Sequence, residues 1–248
     1  MQQIIKYLFL TFLSVVIISS CSESEEIQTT DDLELLAKYK LDVLEPSGLA
    51  VDKTGSFLYT VSDNSNKIYK LNTTGDILKT YAYEGNDLEG VSVISLSELL
   101  LAEERTKEIV VYDLAKNTSS KHKINYENND ANSGIEGVAY NSNDGTSFIL
   151  NEKDPGLLMR LRSDFSIIAT YNLSFASDFS GIFYENSDNI LWIVSDQNKT
   201  INKCTVSGQL IKSYSVNINK IEGIAIVNNK IYAVSDADDT LYVYNKPQ

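Results

Sequence analysis

The stretch Ile135-Glu136-Gly137-Val138-Ala139-Tyr140 decides the fold, because related versions of it occur four more times along the chain. Each version has a small residue or Glu, then Gly, then a short apolar run, and successive Gly residues are 42, 47, 44 and 42 residues apart. A period in the low forties built of short strands is typical of a β-propeller. The other versions are Pro46–Val51, Leu88–Val93, Phe179–Tyr184 and Ile221–Ile226.

A second repeated feature supports the same register. Each repeat closes a β-rich run with an acidic residue, and an aliphatic residue opens the next run five positions later. The acids are Asp63, Glu104, Glu152, Asp196 and Asp236, and the aliphatic residues are Ile68, Ile109, Leu157, Ile201 and Leu241.

These features predict an all-β fold, a five-bladed β-propeller of four-stranded antiparallel blades over residues 35–248. In the first repeat the turn residues separate strands at Gly48–Asp52, Phe57–Ser62, Lys67–Asn72 and Ile77–Tyr83. The fifth repeat contains only three strands. We therefore expect Leu36–Val43 to supply the fourth, so that an N-terminal strand closes the ring and leaves no open sheet edge.

The first 34 residues have a different composition. Residues 1–20 carry one charge, Lys6, and an apolar run too short for a membrane span, which is typical of a signal peptide. Ile18-Ser19-Ser20-Cys21 resembles a lipobox, which predicts cleavage before Cys21 and its lipidation; an uncleaved N-terminal anchor is the alternative. Residues 21–34 then form an acidic tether. We expect a membrane-anchored lipoprotein at the outer membrane or cell surface of a Gram-negative bacterium.

Charge and composition exclude several functions. The net charge is −13 and no basic cluster occurs, which disfavours nucleic-acid binding. The chain has one His, and with Cys21 lipidated the other cysteine, Cys204, stands alone. A zinc or copper site is therefore disfavoured, and we expect Cys204 to be buried as a small apolar residue. We expect a monomer that contacts the membrane through its lipid.

Two repeated positions point to a metal site. In a propeller the start of the innermost strand and the end of the second strand meet at one mouth of the central channel. Here the first position is Glu in three repeats and Ser in two, Ser47 and Ser180, and the second position is acidic in all five. Crowded carboxylates raise one another's pKa, and a hard cation such as Ca²⁺ relieves this repulsion. The predicted calcium ligands are Glu89, Glu136, Glu222, Glu104 and Glu152, and the further mouth acids are Asp63, Asp196 and Asp236. The alternatives are turn capping by the Asp residues and a solvated acidic channel.

Seven motifs occur in order along the chain: Glu45–Leu49, Leu88–Val91, Ala102–Arg105, Ile135–Tyr140, Phe148–Asp154, Asp178–Gly181 and Ile221–Gly223. Their order and spacing resemble the SdiA-regulated (YjiK-like) family over roughly residues 34–245, and more distantly NHL-like propellers. The resemblance implies a five-bladed propeller, membrane-associated export and a bound calcium ion, and it implies no defined activity.

Three function classes remain open. We favour a non-enzymatic, calcium-binding module of the cell envelope that binds a small ligand or an envelope partner. The second class is a calcium-dependent hydrolase, lactonase- or esterase-like, with Glu104 or Glu152 as general base, because the single His122 lies in an irregular loop and no Ser-His-Asp triad is available. The third is a glycosidase that uses the three Glu residues before Gly, although catalytic carboxylates need unlike environments and these motifs are nearly identical.

Overall fold

The computed structural model describes residues 31–128 and 133–247, and over these ranges the chain forms 21 β-strands. The strands are arranged in five sheets around a central channel, each built on four antiparallel strands, which confirms the predicted five-bladed β-propeller. None of the described residues forms a helix that is long and apolar enough to cross a membrane.

Within each blade the chain moves outward from the channel, strand by strand. Blade one contains β3 (Pro46–Val51), β4 (Leu58–Ser62), β5 (Lys67–Leu71) and β6 (Ile77–Thr80). Blade two contains β7 (Leu88–Val93), β8 (Glu98–Glu103), β9 (Glu108–Asp113) and β10 (Thr118–Lys123). Blade three contains β11 (Ile135–Asn141), β12 (Thr146–Asn151), β13 (Leu157–Leu161) and β14 (Ile167–Asn172). Blade four contains β15 (Gly181–Glu185), β16 (Ile190–Ser195), β17 (Thr200–Thr205) and β18 (Leu210–Ser215).

Blade five joins the two ends of the propeller. It contains β19 (Ile221–Val227), β20 (Lys230–Ser235), β21 (Thr240–Asn245) and, as its outer strand, β2 (Leu35–Lys40). Strand β2 runs antiparallel to β21, so the predicted ring closure is confirmed. The strand ends at Lys40 rather than Val43, because the chain then turns inward and buries Leu41 and Val43 in the core.

The described part of the acidic segment is more ordered than the tether predicted for residues 21–34. Strand β1 (Asp31–Asp32) pairs in parallel with β18 of blade four, beside Tyr214 and Ser215. Leu33 packs against the apolar core between blades four and five. The predicted signal peptide and Cys21 lie outside the described residues.

The apolar core is divided among the five interfaces between neighbouring blades. Each interface has its own cluster of buried side chains, contributed by the facing sheets of two blades. Trp192 is fully buried between blades four and five. Cys204 is fully buried between blades three and four, which confirms the prediction for this residue. Burying one large apolar side chain contributes about 1.5–3 kcal/mol, so these clusters hold adjacent blades together.

The repeated glycines form the narrow waist of the channel. A Cβ on Gly90 would lie only 2.9 Å from the backbone nitrogen of Val138 and 3.0 Å from the Cα of Gly137, in the next blade. A Cβ on Gly48 would lie 2.9 Å from the Cα of Gly90. Neighbouring inner strands thus approach closer than any side chain allows, which explains the Gly in these repeats.

Candidate functional site

β-Bulges turn the three repeated Glu residues out of the normal strand pairing. In blade two Leu88 pairs with Glu103 and Gly90 pairs with Ala102, so Glu89 is an extra residue without a partner in β8. A bulge of this kind bends the strand and re-aims the side chain, here just before the glycine waist. The same register shift occurs at Glu136 in β11 and at Glu222 in β19.

The second set of acids lies one residue beyond the strand ends, in the turns between the second and third strands of each blade. Backbone hydrogen bonds hold these turns against the segment that precedes the innermost strand. The amide of Glu104 donates to the carbonyl oxygen of Asp87 at 2.9 Å, and the amide of Asp236 donates to that of Lys220 at 3.0 Å. These bonds bring the two predicted acidic positions to the same mouth of the channel, which we call the acidic mouth.

The closest grouping of acids lies in blade two. One carboxylate oxygen each from Asp87, Glu89 and Glu104 lies within 4.8 Å of the other two, which is close enough for one metal ion to contact all three. All three residues are half-buried. Two of them, Glu89 and Glu104, belong to the predicted ligand set.

Asp87 is the residue that the sequence reasoning missed. It stands three positions before Gly90, and the same position in other repeats holds Glu45 and Asp178, so a third repeated acidic position was available as a signal. Its backbone has a φ of 61°, and Arg105 donates to both carboxylate oxygens, from Nε at 3.0 Å and Nη2 at 3.2 Å. Arg105 is largely exposed, so this pair orients Asp87 more than it neutralises the site.

Burial and mutual repulsion dominate the electrostatics of the mouth. Burial raises the pKa of Glu89 well above its usual range, and the charges of Asp63, Glu104 and Asp87 raise it further. The pKa of Glu136 is raised well above its usual range by burial and then by Glu89 and Glu104. The acids therefore disfavour one another's charged forms.

Glu222 lies on another side of the mouth. Burial raises its pKa well above the usual range, and Glu89, Asp196 and Asp236 raise it further. Lys220 partly offsets this effect and holds Asp236 in an ion pair at 2.5 Å. Among the described residues Glu222 is not part of a compact three-acid group.

Asp63 carries the strongest sign of a missing partner. Its Oδ1 is buried, and among the described residues it has no hydrogen-bond partner. Burial, followed by the charges of Glu45 and Asp236, raises the pKa of Asp63 to about 6. A buried oxygen without a donor costs about 1–3 kcal/mol, and a bound cation would remove that cost.

Glu152, another predicted ligand, has a partner of its own. Glu152 forms an ion pair with Lys153 at 2.6 Å, and its charge contributes to the raised pKa of Glu136. Turn capping, the alternative reading for the Asp positions, is performed in two turns by the preceding serine. The Oγ atoms of Ser62 and Ser195 accept the backbone N–H groups of Ser65 and Asn198.

Glu103 fixes the geometry of the blade-two acids. This fully buried carboxylate accepts the backbone N–H of Asn86 at 3.1 Å and the hydroxyl of Tyr83 at 2.6 Å, and it pairs with Lys121 at 2.6 Å. It is adjacent in sequence to Glu104, and Asn86 is adjacent to Asp87. Glu103 thus links the segment that contains Asp87 to the segment that contains Glu104, and both segments carry candidate ligands.

The donor set fits a hard divalent cation. The clustered groups are carboxylates, a buried oxygen is unpartnered, and Ca²⁺ accepts six to eight oxygen ligands of this kind. The single His does not contribute, because His122 lies on the outer strand β10 and stacks on Phe165 with ring centres 4.5 Å apart. Asp87, Glu89 and Glu104 would hold the ion, with Asp63 nearby.

Comparison with solved structures supports the fold. A streptogramin B lyase is 21% identical, with 86% of this chain and 73% of that chain covered and a TM-score of 0.51. The glutaminyl cyclase of Myxococcus xanthus is 9% identical, with 89% and 100% covered and a TM-score of 0.68. Virginiamycin B lyase from Staphylococcus aureus is 20% identical, with 83% and 72% covered and a TM-score of 0.50. At these identities the likeness concerns the propeller architecture alone.

A family model assigns the chain more closely. The model described as SdiA-regulated matches residues 29–176 and 167–247, which together span the propeller. The match includes every blade and every acid of the mouth. The protein therefore belongs to the SdiA-regulated family.

Proposed function

We propose that this protein is a calcium-binding β-propeller of the cell envelope that acts as a binding module. The observation that carries the proposal is the convergence of Asp87, Glu89 and Glu104, with the unpartnered Oδ1 of Asp63 at the same mouth. Three carboxylates satisfy only part of the six to eight positions around Ca²⁺. Positions left open toward solvent would accept water or an oxygen atom of a ligand or partner.

Calcium is preferred over magnesium for a geometric reason. Mg²⁺ demands a near-octahedral shell at about 2.0–2.1 Å and keeps several waters, whereas Ca²⁺ tolerates irregular carboxylate sets at about 2.3–2.6 Å. The acids come from turns and bulges rather than from one regular element, which favours the larger and more adaptable ion.

The experiment is a calcium titration of residues 22–248, which retain every strand that closes the ring. We expect calorimetry to give one calcium site and the melting temperature to rise with calcium more than with magnesium. Glu104→Gln removes a proposed ligand and should abolish both effects. The matched control is Glu98→Gln, at the opposite end of the same strand β8. Chelation that leaves the melting temperature unchanged would refute the proposal.

The envelope location is tested separately. The proposal includes cleavage before Cys21 and its lipidation, supported by the Ile18-Ser19-Ser20-Cys21 motif and the acidic residues that follow. Cells grown with labelled fatty acid should yield labelled wild-type protein, while Cys21→Ser should carry no label. A label retained in Cys21→Ser would refute this part and leave the calcium site unaffected.

A further inference from the structure

The second mouth of the channel contains a cavity that the proposed calcium site does not use. Its volume is about 660 Å³, within the range of small-molecule sites, and it is lined by the carboxyl ends of the inner strands, including Val93, Tyr140, Phe183 and Ile226. The acidic mouth lies at the amino ends of the same strands. Glu136 at the acidic mouth and Tyr140 at the cavity are four residues apart in β11, which corresponds to about 13 Å.

The carboxylates around this cavity are occupied by their own neighbours. Asp52 accepts three backbone N–H groups and the Thr54 hydroxyl within its own turn. Glu185 is buried, accepts the indole N–H of Trp192 at 2.8 Å and pairs with Lys246. Asp188 accepts the Ser187 hydroxyl and lies 3.5 Å from the same lysine. These acids have little capacity left for an incoming donor.

Lys53 is the uncommitted charge at the cavity. Among the described residues its ammonium group has no carboxylate within ion-pair distance, and it lies over the ring of Tyr140, 5.6 Å from the ring centre. Partial burial lowers the pKa of Lys53 and no partner counteracts this effect. An anion that reached Lys53 would gain a charge-assisted hydrogen bond without displacing an existing ion pair.

The walls beside Lys53 favour a flat apolar body. Tyr140 and Phe183 are both partly exposed in the cavity, and Phe183 is fixed by packing against the cores on both sides of blade five. Aromatic side chains prefer offset or edge-on contact with another ring. Among the described residues the Tyr140 hydroxyl has no hydrogen bond, so it can donate to a ligand oxygen.

We propose that this second mouth binds a small aromatic carboxylate, with its carboxylate on Lys53 and its ring between Tyr140 and Phe183. The site is independent of the calcium proposal, since it shares no residue with Asp87, Glu89 or Glu104. It gives the propeller a small-molecule site on the side opposite its acidic mouth.

The chain contains its own reporter for this site. Trp192 is the only Trp and donates to Glu185, which lines the cavity and pairs with Lys246. A bound carboxylate changes the field around this Glu–Lys pair. Emission from Trp192 should therefore shift on binding, and calorimetry provides an independent measurement.

The test titrates residues 22–248 with benzoate, with neutral benzamide and with inorganic phosphate. We expect saturable binding of benzoate and much weaker binding of the other two probes. Lys53→Met should weaken benzoate binding about tenfold, the ratio that corresponds to one charge-assisted hydrogen bond of about 1.4 kcal/mol. The matched control is Lys79→Met, because Lys79 also lies over a tyrosine ring, that of Tyr81, but outside the cavity. It should bind benzoate like the wild type.

The outcomes separate this site from the calcium site. Glu104→Gln should bind benzoate normally, so loss of calcium binding alone leaves this inference intact. At about 10 mM, benzoate would measurably occupy even a site that binds it by about −3 kcal/mol. The absence of benzoate binding up to this concentration would therefore overturn the inference. Equal affinity in Lys53→Met and Lys79→Met would also overturn it, as would equal affinity for benzoate and phosphate.

Discussion

Burial raises the pKa of Glu136 in blade three, and the charge of Glu104 in blade two raises it further, across the boundary between the two blades. Glu136 therefore favours its protonated form when no cation is bound. A cation bound at Glu104 would oppose this protonation, because a nearby positive charge favours the charged form of a carboxyl group.

The first prediction concerns the pH dependence of stability without metal. Asp63, Glu89 and Glu136 have raised pKa values in the folded protein, so the folded state binds more protons than the unfolded state between about pH 4 and the raised values. These groups therefore increase the free energy of unfolding at low pH. This contribution is lost as the pH rises through the folded-state pKa of each group, which is about 6 for Asp63. We expect the melting temperature of the chelated protein to fall between about pH 5 and pH 7.5.

Bound calcium should remove this fall in melting temperature with rising pH. At about pH 7.5 the ion replaces the protons, and its affinity should decrease toward about pH 5 because the ligands must be deprotonated. Surface acids with lowered pKa values act in a lower range; Asp113, held by Lys116, has a pKa of about 2. A chelated protein that becomes more stable from about pH 5 to pH 7.5 would contradict the prediction.

The second prediction distinguishes the blade-two acids from the symmetric ring of Glu residues. Glu222 is a half-buried carboxylate whose pKa is raised by burial and by the nearby Glu89, Asp196 and Asp236. Glu222→Gln should raise the melting temperature of the chelated protein, by about 2–4 °C for each kcal/mol of repulsion relieved. The Glu222→Gln variant should still show the rise in melting temperature with calcium, which Glu104→Gln should lose. Loss of the response in both variants would place the ion among the three repeated Glu residues instead.

The third prediction assigns a positioning role to Glu103. Glu103→Gln weakens the anchor between the Asn86 and Glu104 segments, so calcium affinity should fall about tenfold, as for other residues that orient metal ligands. Glu108→Gln is the matched control, because Glu108 lies 3.9 Å from the same Lys121, whereas the backbone N–H of Asn86 donates to Glu103. Equal affinities of the two variants, measured by calorimetry, would argue against this role.

The fourth prediction concerns the glycine waist. Gly90→Ala places a Cβ 2.9 Å from the backbone of Val138 and should destabilise the protein by about 2 kcal/mol or more. Gly145→Ala is the comparison: its φ of 75° is unfavourable for Ala, but the nearest atom is 3.8 Å away, so about 1 kcal/mol is expected. Denaturant unfolding measures both, and a Gly90→Ala cost no larger than that of Gly145→Ala would contradict close packing at the waist.

The fifth prediction concerns Cys204. Burial raises the pKa of its thiol to about 12, so the reactive thiolate is scarce at neutral pH. Residues 22–248 should incorporate no iodoacetamide when folded and one equivalent when denatured. Rapid labelling of the folded protein would contradict the burial of Cys204.

The repeat predicted the architecture because each copy constrains the others. Five aligned copies predicted the blade number and a missing strand at Leu36–Val43, which the structure places at Leu35–Lys40. The strand ends were predicted less accurately. The sequence pattern places Glu104 at the end of a strand, whereas β8 ends one residue earlier, at Glu103. That position depends on a backbone bond to Asp87, which pattern alone does not show.

The detail of the site was harder to predict from sequence. The pattern indicated an acidic mouth, but not that Glu152 has Lys153 as a partner or that Asp87 joins Glu89. These differences arise from side-chain directions and from unlike residues at one position of each repeat. The cavity at the second mouth could not be predicted from the sequence either, because Lys53, Tyr140 and Phe183 come from different blades and share no motif.

The pairing of β2 with β21 has a consequence for how the protein is made. Residues 35–40 are synthesised long before their partner strand, 240–245. Blade five supplies one side of the apolar clusters at two interfaces, so both stay open to water until its strands have been synthesised. Strand β21 alone contributes Leu241 and Val243 to one cluster and Tyr242 and Tyr244 to the other, so losing this strand would expose apolar core at both interfaces.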